Sequence, residues 1–230
     1  MALSHNPKIP IDSMIIGMDA INVKCYPGTG TTAYNLANLS DTFTLNSGVS
    51  YVSGLDGHFN FDGTNTAELN ITDTGVLYAW TVCYWFYHIG GGDEMNIGFD
   101  GDDGNRFYHR DPGAGGVDYR LRVHNNSNVS VGDLIFSTSG VERDQWAFVG
   151  YSMSGDVNGG TVTQYLNDVL YSASSTTDDC GFRINIFGDP YASASSFNPT
   201  MKLGPLFVYN KALSQVEFLQ LYTAFKGRFI

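Results

Sequence analysis

Carboxylates come first among the residues that could do chemistry here. Retaining glycoside cleavage needs two of them about 5 Å apart, one as nucleophile and one as acid. The chain has four glutamates, Glu68, Glu94, Glu142 and Glu217, and no two are close in sequence. Asp100 and Asp102 would share a face of an extended strand, but Asp100-Gly-Asp-Asp-Gly104 has the composition of a turn. Ser-His-Asp chemistry finds no better footing, because no G-x-S-x-G occurs and the five histidines have no nucleophile context. These features predict a non-enzyme. The same acidic stretch offers hard oxygen ligands at Asp100, Asp102 and Asp103, of the kind calcium takes. It departs from an EF-hand, since Gly104 stands at a ligand position and no glutamate follows at the required distance. A solvated hairpin tip accounts for the same composition. Calcium apart, no metal and no cofactor is expected.

A cationic stretch follows directly. Arg106, Arg110, Arg120 and Arg122 are four of the seven arginines, set within seventeen residues that also hold His109. Arg120 and Arg122 share a face if 118–124 is a strand. One reading is local neutralisation of Asp100, Asp102, Asp103 and Asp118. The other is a partner contact, since arginine is favoured at interfaces through bidentate pairing and stacking. Lys8, in the N-terminal arm, joins these four as a partner-contact candidate. Trp80, Trp85 and Trp146 could stack on sugars, but each lies in an apolar run where a core indole is the simpler expectation. Tyr108, Tyr119 and Tyr191 are better candidates for exposed aromatics.

The elements that must position these residues are mostly strands. Of 230 residues 27 are Gly and only 15% are charged, which disfavours a helical bundle and favours many short strands joined by turns. Lys plus Arg is 12 against 23 Asp plus Glu, a net charge of −11. That balance argues against nucleic acid, whose phosphates need clustered cations, and against an anionic lipid surface. Residues 1–13 lack periodicity and read as an arm. Strands are expected at 14–18, 42–45, 58–61, 67–71, 77–88, 95–99, 106–109, 118–124, 133–137, 145–153, 161–166, 169–173, 183–187 and 201–209. Asn167-Asp168 suits a tight hairpin turn, and 154–160 reads as a longer loop. Ser214 with Glu217 forms a capping box for a helix over about 214–226. Phe218, Leu221, Tyr222 and Phe225 would form its apolar face, packed over an edge of the sheets, with Gly227 as its stop. Residues 14–230 are read as one domain. Val76 to Ile89 is too short and too polar to span a bilayer. Cys25, Cys83 and Cys180 are odd in number and far apart, as expected of buried thiols in a reducing compartment. Met1 to Pro10 has no apolar signal region.

Motifs in order along the chain carry a resemblance. They are Gly17-Met-Asp-Ala20 with Tyr26-Pro-Gly-Thr-Gly-Thr-Thr32, then Phe59-Asn-Phe-Asp-Gly-Thr-Asn65. Trp80-Thr-Val-Cys-Tyr-Trp85 and the pair Gln145-Trp146 with Tyr165-Leu-Asn-Asp168 come next. Leu203-Gly-Pro-Leu-Phe-Val-Tyr-Asn-Lys-Ala-Leu-Ser214 and Phe225-Lys-Gly-Arg228 close the series. Together they resemble the concanavalin A-like jelly rolls of the laminin-G-like type, common in bacteriophage structural proteins and bacterial surface proteins. The resemblance implies an all-β, two-sheet antiparallel jelly-roll sandwich with one short C-terminal helix. It further implies a virion structural protein, as head decoration or tail or fibre component, assembled in a bacterial cytoplasm. Its partners would be other virion proteins or further copies of itself, with host-surface glycan as an additional ligand. The alternatives are a carbohydrate-binding module or adhesin, and a degenerate glucanase.

Overall fold

The computed structural model describes residues 8–64, 68–70, 74–90, 94–99, 106–110, 118–124, 130–136, 144–176, 181–184, 186–188 and 200–230. They form two eight-stranded antiparallel sheets and one helix. Sheet A contains β1 (Met14–Met18), β4 (Val49–Val52), β5 (His58–Asp62), β7 (Trp80–Gly90) and β12 (Trp146–Asp156). It is completed by β13 (Gly159–Leu166), β14 (Val169–Thr176) and β16 (Thr200–Tyr209). Its order is β14-β13-β12-β7-β16-β5-β4, with β1 beside β16. Sheet B contains β2 (Thr32–Tyr34), β3 (Thr42–Leu45), β6 (Glu68–Asn70) and β8 (Glu94–Phe99). With them stand β9 (Arg106–Arg110), β10 (Asp118–His124), β11 (Ser130–Phe136) and β15 (Ile186–Gly188). Its order is β11-β10-β9-β8-β15-β6-β3-β2.

The core follows from period-two alternation. Val82, Tyr84 and Phe86 of β7, Phe59 and Phe61 of β5, and Leu206 and Val208 of β16 form one buried cluster with Ala33 of β2 and Phe43 of β3. That cluster lies between the two sheets. A second cluster forms on the other face of sheet A. Cys83 and Trp85 of β7, Phe148 of β12, Tyr165 of β13 and Phe207 of β16 pack there against α1 (Gln215–Phe229). The helix therefore covers a face of sheet A, not an edge. The signal lies in β7, whose apolar residues occupy both of its faces and so require cover on both.

The helix begins as its sequence predicts. The Glu217 amide donates to Ser214 Oγ, and the Glu217 carboxylate accepts from the Ser214 amide at 2.8 Å. It does not stop at Gly227, which lies inside it. One glycine in a helix interior costs about 1 kcal/mol. Two residues beyond it outweigh that cost. Phe229 stacks on Trp85 with ring centroids 4.7 Å apart, and Arg228 Nη1 contacts both carboxylate oxygens of Asp19 at 2.9 and 3.0 Å. Burial pushes the Asp19 carboxyl above its ordinary range and the guanidinium pulls it back.

Pro205 stands in β16, a central strand, where a residue without an N–H breaks the ladder. The register shifts between Leu203 and Leu206, leaving Gly204 and Pro205 as a bulge opposite Trp85. A Cβ on Gly204 would lie 2.8 Å from Trp85 Cβ and 3.0 Å from Phe229 Cζ, so glycine lets the helix end approach. Asn167 holds the hairpin turn with φ of 54°, as expected. The 154–160 segment is shorter than a loop reading implies, because β12 runs to Asp156 and only Val157 and Asn158 turn. The arm's last residues rest on the domain itself. Ile9 packs on the second cluster, Tyr209 Oη donates to the Pro10 carbonyl at 2.9 Å, and Lys211 pairs with Asp12. No helix among the described residues is long and apolar enough to cross a membrane.

Candidate functional site

A cleft of about 350 Å³ opens where β1 meets the connection between β2 and β3. Its floor is Ile16 and Phe43, both buried. Asn35 builds one wall. Its side-chain oxygen accepts from the Gly17 and Ala37 amides at 2.9 and 3.0 Å, and its Nδ2 donates to the Ile15 carbonyl at 2.8 Å. Every polar atom of that buried amide is occupied, so Asn35 positions and does not bind. The turn it anchors carries Asn38 and Asp41 to the rim, closed by a bond from the Asp41 amide to the Asn38 carbonyl at 3.0 Å.

The rim groups are less committed. Asn38 Oδ1 accepts from Ser40 Oγ at 2.8 Å, which leaves its Nδ2 available. Neither the Asp41 carboxylate nor the Asn210 side-chain amide makes a hydrogen bond to a described residue. Asn210 reaches the cleft from the end of β16, fixed by its amide donating to the Ser13 carbonyl at 2.8 Å. Thr74 faces them, its hydroxyl already bonded to the Gly75 carbonyl and the Ile184 amide. The result is an apolar floor with one carboxylate acceptor and two amide donor–acceptors converging above it. Pockets of a few hundred Å³ with few fixed polar groups are the usual form of small-ligand sites. The chemistry is hydrogen bonding to a neutral, hydroxyl-rich molecule. No nucleophile–base pair lines the cleft.

This cleft was not among the sequence-predicted sites. Its signal is the polar run Asn35-Leu-Ala-Asn-Leu-Ser-Asp41 between two β-rich segments. The predicted calcium candidates Asp100, Asp102 and Asp103 lie outside the described residues, as do Glu142, Cys180 and Tyr191. No group of three metal-ligating side chains occurs among the described residues. Glu217 is spent on the helix cap and on Lys211 at 2.8 Å. Trp80 and Trp85 are core residues, whereas Trp146 is only partly buried, ringed by His58, Tyr87 and Phe229. Cys25 and Cys83 are buried, and burial pushes the Cys25 thiol up to about 11. Lys8 is exposed and makes no ion pair with a described residue.

The four predicted arginines lie together in sheet B. Arg106 pairs across the ladder with Arg122, Tyr108 with Arg120, and Arg110 with Asp118. Arg110 also pairs with Glu94 of β8, and Arg122 with Asp133 of β11. Directly opposite residues share a face, so all four arginines occupy one face with Tyr108. Thr42 and Thr44 of β3 are exposed and Phe43 and Leu45 are buried.

No protein-family model and no curated protein matches the chain. Solved structures do resemble it in fold. The binding domain of Paraclostridial Mosquitocidal Protein 1 superposes with a TM-score of 0.65 at 13% identity, over 92% of this chain and 52% of that one. The binding domain of botulinum neurotoxin serotype D/C gives 0.66 at 12% identity, over 94% and 53%. The ligand-binding domain of botulinum neurotoxin serotype D, in complex with N-acetylneuraminic acid, gives 0.61 at 14% identity, over 92% and 51%. This chain thus spans about half the length of the structures it matches. At these identities the likeness is one of fold. The neighbours are described as binding domains, and none of these three is described as a catalytic domain or a virion protein.

Proposed function

We propose that this chain is a non-enzymatic carbohydrate-binding domain on a concanavalin A-like jelly-roll sandwich. The observation that carries the reading is the cleft. Asp41, Asn38 and Asn210 place uncommitted acceptors and donors over an apolar floor, which suits a sugar's hydroxyl rim and its C–H face. The fold neighbours support the reading, since one of them was solved with a bound sialic acid. Isothermal titration against a panel of neutral and acidic oligosaccharides tests it. Asp41→Ala and Asn210→Ala should each weaken the best ligand at least tenfold, about 1.4 kcal/mol. Retention of no glycan by the intact chain, or equal affinity in both variants, would overturn the reading. Reducing-end release from the same panel should stay at the buffer level.

The motif likeness at Leu203 to Ser214 and Phe225 to Arg228 favours a setting for this domain, the surface of a phage particle. There it would act as the part that meets host glycans, alone or as a homo-oligomer. Mass spectrometry of purified virions tests that setting, and absence of the chain from them would remove it.

A further inference from the structure

We propose that the cleft prefers an amino sugar with a free ammonium group over the same sugar with a hydroxyl there, and both over a carboxylated sugar. This deepens the carbohydrate-binding reading and rests on it. The observation behind it is the sign of the lining. Among the described residues that line the cleft, Asp41 is the charged one, and no lysine, arginine or histidine stands with it. Lys211 follows Asn210 directly but is spent elsewhere. Its ammonium pairs with Asp12 at 3.2 Å and with Glu217 at 2.8 Å.

The carboxylate is also fixed in place before a ligand arrives. The Asp41 amide donates to the Asn38 carbonyl at 3.0 Å, and the Asp41 carbonyl accepts from the Asn35 amide, also at 3.0 Å. Asn35 is in turn tied to Gly17, Ala37 and Ile15. The backbone that carries the charge therefore needs no ordering on binding, which limits the cost of association. Asp41 is half-buried, and the floor of Ile16 and Phe43 is buried. A partly enclosed, apolar setting strengthens a charge–charge contact relative to water. A hydrogen bond between ionised groups is also roughly twice as strong as one between neutral groups. Three classes of sugar separate on that basis. A neutral sugar offers Asp41 a hydroxyl donor. An amino sugar offers a charged donor of similar size at the same position. A carboxylated sugar sets a second negative charge in a cleft whose lining has no cation to offset it. The acidic sugar bound to one of the fold neighbours is thus not the class expected here.

The test uses the full chain with a glucosamine oligomer, its N-acetylated form, the glucose oligomer of the same linkage and length, and an oligogalacturonate. Isothermal titration is run at low ionic strength and below the pKa of the sugar ammonium. The glucosamine oligomer should bind at least tenfold more tightly than the glucose oligomer, a difference of about 1.4 kcal/mol. N-acetylation should abolish that advantage, and the oligogalacturonate should bind most weakly. Asp41→Asn keeps the shape and a hydrogen-bonding group but removes the charge. It should bring the glucosamine and glucose oligomers within about twofold of each other, a cycle with the ligand as one arm. Asn210→Ala should weaken both alike. Added salt should narrow the gap in the unmodified chain, because the rim is open to solvent. A gap that salt leaves unchanged would overturn the proposal whether or not the variants fold. Equal affinity for amine and hydroxyl, a preference that survives in Asp41→Asn, or tightest binding of the oligogalacturonate would overturn it and leave the cleft reading standing. If none of the four binds while another glycan does, the proposal falls alone. If the chain retains no glycan, both fall.

Discussion

On the outer face of sheet A, Cys83, Trp85, Phe148, Tyr165 and Phe207 lie under α1. Trp85 stacks with both Tyr222 and Phe229, with centroids 5.7 and 4.7 Å apart. Tyr165 stacks on Phe218 at 4.1 Å. On the outer side of sheet B, β3 presents Thr42 and Thr44, both exposed, while Phe43 and Leu45 turn to the inner core. The two sheets share an inner core and differ in what their backs are for. Apolar residues on a sheet's back force the chain to spend a helix on them, because exposed aromatic area of that size is unfavourable by about 25 cal/mol per Å². Polar residues such as these threonines need no cover. The consequence is a division between a back sealed by α1 and one left open along β3.

Substitutions that swap the two backs test this division most directly. Trp85→Ala should destabilise by about 3–5 kcal/mol in urea unfolding, the usual range for removing a buried tryptophan. Tyr34→Ala, an aromatic truncation at an exposed position of sheet B, should shift stability by no more than about 0.5 kcal/mol. Comparable losses in the two variants would show that sheet B's outer face is covered as well. Next in size is Gly150→Ala. A Cβ there would overlap the ring of Phe218, which is already held between Phe148 at 4.8 Å and Tyr165 at 4.1 Å. Overpacking of that kind costs about 1–3 kcal/mol. An unchanged unfolding midpoint would mean that α1 rides more loosely on sheet A than these contacts require. Ser214→Ala, which removes only the cap of the same helix, should cost about 1 kcal/mol.

The ease of reading these parts from sequence differed for physical reasons. β1, β3 and β10 fall where period-two alternation places them, to the residue. β2 has only three residues, and β4 is set among Ser and Gly, so neither stands out from the polar segments around it. The helix start was legible because a capping box is local: Ser214 and Glu217 are three residues apart. The helix end was not, because Arg228 and Phe229 find their partners at Asp19 and Trp85, far away in sequence. The cleft shows the same limit. Asn38 and Asp41 are neighbours in the chain, but Thr74 and Asn210 join them only through the pairing of β1 with β16 and of Leu77 with Phe182. The arginine block lay between these extremes. Its residues were conspicuous by composition, while the opposition of Arg106 to Arg122 depended on register.

The smallest expected effect lies at the rim of the covered face, where the cover given by α1 ends. β5 sends Phe59 and Phe61 to the inner core, which puts His58 on the outer side. The His58 ring meets Trp146 edge-on at 5.5 Å, and Trp146 in turn touches Phe229 at 4.5 Å. Burial holds the imidazole below its ordinary value of 6.5, against the pull of the Asp56 carbonyl 2.8 Å from Nδ1, with Lys202 lowering it further. The folded chain therefore resists protonating His58, while the unfolded chain takes up the proton near the ordinary value. Stability that is present above pH 6.5 should fall as the pH drops below it and level off once the folded imidazole is also charged. His58→Gln should flatten that part of the profile, read as urea midpoints between about pH 7.5 and about pH 5. A slope that persists in His58→Gln would place the titrating group elsewhere and move the edge of the sealed face away from Trp146.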